Sequence, residues 1–99
     1  MNPIFGKEEQ HLFEAILSLR TAEECENFFT DAFTINEIKD IAQRLEVARQ
    51  LAAGKVYTEI AAATGASTAT ISRVNKCLHY GAGGYTLALA RLAGKEDKN

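Results

Sequence analysis

The chain has 99 residues, 46% of them hydrophobic, with one proline, no tryptophan and a formal net charge of −2. That length predicts one small domain, 1–99, which buries a smaller share of its surface than a larger protein would, so a partner subunit would help to stabilise it, although length alone leaves monomer or dimer open. The composition is that of a water-soluble globular chain, without an apolar run long enough to cross a bilayer or a continuously apolar secretory segment, which predicts a cytoplasmic protein with no membrane partner. Cys25 and Cys77 are the only cysteines and His11 and His79 the only histidines. With no CxxC pair and no ligand cluster, neither a disulfide nor a metal site is predicted. No nucleophile, base and orienting group stand at a usable spacing, so no catalytic residue is assigned and the chain reads as a non-enzyme.

In chain order the elements are all helical. From about Lys7 to Leu19, the residues Leu12, Phe13, Ile16, Leu17 and Leu19 recur at three- and four-residue intervals, predicting an amphipathic helix. Thr21 and Glu24 are spaced as a capping box that opens a second helix through Phe28, Phe29 and Ala32. Thr34 and Glu37 form another box and open the longest helix, with Ile38, Ile41, Ala42, Leu45, Ala48, Leu51 and Ala52 as its stripe and Gly54 as a left-handed stop. After a short link come two further helices, which end near Tyr80 because Gly81, Ala82, Gly83 and Gly84 cannot sustain one. A last helix is predicted from Tyr85 to Ala93, with the polar tail fraying. The GAGG stretch follows a helix and lacks a GK[ST] sequence, so it is not read as a phosphate loop.

Residues 57–78 meet the demands of a helix-turn-helix. Two short helices crossing steeply need a small residue at their contact, a turn residue tolerant of positive φ, and apolar residues that lock one onto the other. Ala61 is the small contact and Gly65 the turn, with Ile60, Thr64, Ala66, Ile71 and Val74 as the inner face. Ser67 can cap the second helix, whose outer face carries Ser67, Thr68, Ala69, Ser72, Arg73 and Lys76, with Thr70 added as a groove or phosphate contact. Those residues are assigned to DNA, with Lys55 and Thr58 touching the phosphate backbone from the entry and start of the first helix. An ordinary helical hairpin is the competing interpretation.

A net charge of −2 argues against nucleic acid until its distribution is considered. Residues 1–40 carry nine acids against three bases, while residues 41–99 carry eight bases against four acids. Between Val56 and Leu92 the only acid is Glu59. An acidic half turned away from DNA would limit non-specific binding, although such a run also suits a plain solvated helix face.

The order of helices resembles the Trp repressor superfamily, best over Phe33 to Leu78, and TGASTATISR is its most specific string. ISRVNKCLHYGAGGY further resembles the YerC/YecD-type branch of TrpR-like proteins. The resemblance implies an intertwined homodimer, with residues 1–54 as dimerisation helices, 57–78 as the reader head and 85–93 as a C-terminal helix. The five phenylalanines, Phe5, Phe13, Phe28, Phe29 and Phe33, suit such an assembly, though they could equally fill a monomeric core. A two-fold dimer implies a palindromic operator.

In tryptophan-responsive members of the superfamily, two arginines hold a corepressor between the long helix and the head. Arg44 and Arg73 occupy the matching positions, and Thr34 matches a threonine at the start of the long helix. These three are therefore the effector-binding candidates, for a small-molecule corepressor of unknown identity. Two departures argue against tryptophan itself: Val74 replaces a glycine beside the ring slot, and Cys77 replaces a serine. The link after Gly54 is also one residue shorter. The predicted function is a dimeric, sequence-specific DNA-binding regulator acting as a repressor, against the alternative of a helical interaction module that binds no DNA.

Overall fold

Local chemistry starts and stops each helix. The structure, a computed structural model, describes residues 4–97, with side chains as far as Lys95. Its elements are α1 (Lys7–Leu17), α2 (Ala22–Ala32), α3 (Ile35–Ala52), α4 (Tyr57–Thr64), α5 (Thr68–Tyr80) and α6 (Gly84–Asp97), with no strand among the described residues. They fall into two compact units, residues 1–38 and 39–99.

In the first unit, the Glu9 carboxylate accepts the Gly6 N–H at 2.9 Å and fixes the start of α1. This helix ends at Leu17 rather than Leu19, because Ser18 turns its hydroxyl onto the Ala15 carbonyl at 2.6 Å and competes with further helix bonding. At α2 the Thr21 hydroxyl accepts the Glu24 N–H at 3.1 Å, while the Glu24 carboxylate reaches past Thr21 to the Arg20 N–H at 2.8 Å. The box at Thr34 closes in both directions: its hydroxyl accepts the Glu37 N–H and its own N–H donates to the Glu37 carboxylate at 2.8 Å. Those bonds hold the Glu37 carboxyl below its ordinary pKa, the Thr34 backbone N–H contributing most. Phe5 meets Phe13 edge to face at 5.2 Å, and Phe29 stacks on Phe33 at 4.9 Å. Even so, none of residues 4–38 is buried.

The second unit contains the core. Val47, Ala48, Ile60, Ala66, Ile71 and Val74 are buried, and Leu51, Tyr57, Ala61, Tyr85 and Leu89 pack around them. The predicted stripe of α3 therefore needs correction. Val47, outside that stripe, is fully buried, whereas Ile41, Ala42 and Ala52 are exposed. The helix is amphipathic in the expected period, but the head covers only the part of its surface around Val47 and Ala48. Gly54 adopts φ +85° after α3, as its place in the sequence suggests. The last helix runs four residues beyond Ala93, since Gly94 costs only about 1 kcal/mol in a helix and Lys95 favours a C-terminal turn. Lys98 and Asn99, the end of the predicted fraying tail, lie outside the described residues.

Candidate nucleic-acid interface and effector cleft

The turn between α4 and α5 is held by three interlocking devices. Gly65 takes φ +74° and donates its N–H to the Ala61 carbonyl at 2.9 Å. Thr64 donates its hydroxyl to the Ile60 carbonyl at 2.7 Å and accepts the Ala66 N–H at 3.1 Å, so one side chain spans the turn. From α3, the Gln43 amide donates to the Thr64 carbonyl at 3.1 Å. Sequence reasoning did not single out Gln43, whose role depends on a contact 21 residues away. Ile60 and Ile71 are fully buried and Val74 is 2% exposed, so the predicted inner face is the one that packs.

Ser67 stands at the N-cap of α5 and accepts the Thr70 N–H at 3.1 Å. It also donates its hydroxyl to Thr70 Oγ1 at 3.1 Å. Both side chains are thus engaged at the helix start, although Thr70 keeps its own hydroxyl proton. Thr68, Ala69, Ser72, Arg73 and Lys76 are exposed. Ala69 lies two residues from buried Ile71, about 200° round the helix, and Ser72 and Lys76 stand in the same relation to Val74. Thr58 is exposed on α4, and Lys55 lies just ahead of that helix with its ammonium 3.9 Å from the Glu59 carboxylate. The one acid between Val56 and Leu92 therefore sits beside a predicted phosphate contact, in a solvent-exposed pair worth little by itself.

Arg44 from α3 and Arg73 from α5 line one cleft, together with Thr70, Val74, Cys77 and Tyr85. Neither arginine has an ion-pair partner among the described residues. Two guanidinium groups facing one cleft can hold an anionic group bidentately. The volume is about 160 Å³, well below the roughly 300 Å³ at which pockets for drug-sized ligands begin. Val74 and Tyr85 occupy its apolar side, in keeping with the expectation that valine fills the slot. Tyr85 was missed from sequence; its only signal there is an aromatic residue directly after the glycine break. The Thr34 hydroxyl serves as the cap of α3. A wider hollow of about 350 Å³ borders Cys77, Gly81, Ala82, Gly84 and Tyr85, but no charged group lines it. The shape of its glycine rim is steric, since a Cβ on Gly81 would approach the Cys77 carbonyl oxygen to 2.3 Å.

Both cysteines are free thiols, and no group of three or more His, Cys, Asp or Glu side chains gathers among the described residues. No helix there is long and apolar enough to cross a membrane.

Six helices, with α4 and α5 joined by a positive-φ glycine and locked by buried Ile60, Ile71 and Val74, define an all-helical protein of the helix-turn-helix class. The chain belongs to the Trp repressor family, whose model, described as Trp repressor protein, matches residues 7–93. The uncharacterized protein YerC of Bacillus subtilis (strain 168) is 55% identical over 94 residues, covering 95% of this chain and 90% of YerC. The crystal structure of a TrpR-like protein from Eubacterium eligens ATCC 27750 superposes with a TM-score of 0.88 at 48% identity, covering 93% of this chain and 96% of that one. A candidate Trp repressor from Staphylococcus aureus gives 0.87 at 46% identity, covering 91% and 90% of the two chains.

Proposed function

We propose that the protein is a homodimeric, sequence-specific DNA-binding transcriptional regulator that represses by occupying a palindromic operator. The observation that carries this reading is the locked head: buried Ile71 and Val74 fix α5 while Thr68, Ala69, Ser72, Arg73 and Lys76 stay exposed. Thr68, Ala69 and Ser72 meet the major groove, and Arg73 and Lys76 supply charge. Lys55, Thr58 and the remaining hydroxyl proton of Thr70 serve phosphates, while Ser67 shapes the helix start. Exposed apolar side chains on α1, Leu17 at 83% and Phe13 at 38%, support a second copy as the cover of the N-terminal unit. A regulator of this kind works in the cytoplasm without a membrane partner.

The cleft at Arg44 and Arg73 is the effector site if one operates, but its small volume and buried Val74 favour a head that is ready for DNA without tryptophan. Thr34, the third candidate for that site, also caps α3.

The test is a random-DNA selection with the purified full chain, at low and moderate salt, with and without a pool of amino acids and small metabolites. A two-fold-symmetric site enriched without the pool is the expected result, with affinity falling steeply as salt rises. Enrichment only with the pool would overturn the ligand-independent part and assign the cleft to an effector. No enrichment in either condition would overturn DNA binding and favour an interaction module. Lys76→Ala should weaken all sequences alike and lower the salt slope by about one, whereas changes at Thr68 or Ala69 should alter sequence preference.

A further inference from the structure

We infer that the head reads thymine by its 5-methyl group, through the methyls of Thr68 and Ala69, and that this apolar contact is a base-specific term in its operator. The inference rests on the DNA-binding reading above and adds to it the chemical feature that is recognised.

The first turn of α5 leaves few groups free to read a base. Of the polar side chains there, Ser67 has its hydroxyl committed to Thr70 Oγ1 and its oxygen to the Thr70 N–H. Thr70 is half-buried and borders the cleft with Arg44 and Arg73, so it is turned away from the leading face. The exposed side chains that remain on that turn are Thr68 and Ala69. Neither has the two-pronged donor or acceptor set with which arginine, asparagine or glutamine identifies guanine or adenine. Their exposed groups are one hydroxyl and two methyls. Ala69, about 200° from buried Ile71, projects directly away from the core, and its side chain can form no hydrogen bond at all.

The major groove presents one apolar group, the C5-methyl of thymine. A helix that enters the groove with methyl groups foremost gains its apolar contact there. Rigidity matters as well, because a methyl contact is short-ranged and rewards a helix whose position is fixed. The Ser67 cap, the Thr64 bridge and the Gln43 bond to the Thr64 carbonyl supply that fixed position.

The experiment replaces each thymine of the selected operator, in turn, by deoxyuridine, which removes only the methyl and leaves every hydrogen-bonding group in place. Binding of the full chain is measured by fluorescence anisotropy. At one position per half-site the affinity should fall about fourfold, the worth of one methyl withdrawn from water, and about fifteenfold when both half-sites are changed. Ala69→Gly or Thr68→Ser removes the facing methyl from the protein. In whichever variant has lost it, thymine and deoxyuridine should bind alike at that position; circular dichroism checks that the head remains folded. Equal binding of thymine and deoxyuridine operators by the unaltered chain would overturn the inference and leave the regulator reading intact. Discrimination unchanged in both variants would overturn it too. If no DNA binds in a salt-dependent way, the regulator reading itself fails and the inference with it.

Discussion

The two units of this chain treat their apolar side chains in opposite ways. Residues 39–99 gather six buried side chains from α3, α4, α5 and the turn between the last two, and brace them with Tyr85 and Leu89 of α6. Residues 4–38 have comparable apolar content, with all five phenylalanines of the chain among them, yet half-bury part of it and fully bury none. The local order of the two is nevertheless alike, with complete helices and hydrogen-bonded caps in both. Local signals thus set where the helices begin and end, whereas their stability needs a covered face. The head provides its own cover, and the proposed second copy provides it for the N-terminal unit.

The sharpest way to break this contrast is to truncate an apolar side chain in each unit. Phe13→Ala, at a position 38% exposed, should cost little if the chain acts alone. With a second copy on that face the cost rises to about 3–5 kcal/mol, and the melting temperature depends on protein concentration. Sedimentation equilibrium with thermal melts at several concentrations checks this. In the head, Ile71→Ala should cost about 2–5 kcal/mol irrespective of oligomeric state, because Ile71 is fully buried within one chain. Urea unfolding followed by circular dichroism reads that loss.

Smaller effects probe how the head is held. Gly65→Ala should cost about 1–2 kcal/mol, since φ is +74° there and no atom lies within 4 Å of an added Cβ, which leaves backbone strain as the penalty. Ser67→Ala should remove about 1 kcal/mol by releasing the Thr70 N–H from its cap. The smallest effect is a pH dependence at Glu46. The Arg49 guanidinium, donating from Nε at 3.0 and 3.1 Å, together with the Gln50 amide, lowers the Glu46 carboxyl to about 2. Stability from these bonds is present above the ordinary value of about 4.5 and is lost as pH falls from there toward about 2. The pair is solvent-screened, so the loss should be only a few tenths of a kcal/mol, detected as the difference between the parent chain and Glu46→Gln.

Legible in the order of residues alone were the helix starts at Thr21, Thr34 and Ser67, the left-handed glycines Gly54 and Gly65, and the apolar residues between the two head helices. Each of these is a matter of neighbours a few residues apart, where hydroxyls reach amides and glycine alone adopts positive φ without strain. Family membership was legible too, because TGASTATISR concentrates those local demands in one short string. Only the tertiary structure decided that α3 buries Val47 rather than Ile41, that Gln43 secures the turn, and that Tyr85 joins Arg44 and Arg73 around one narrow cleft. These outcomes depend on how helices far apart in the chain pack, and a hydrophobic period of 3.6 residues names a face of a helix without naming what will cover it.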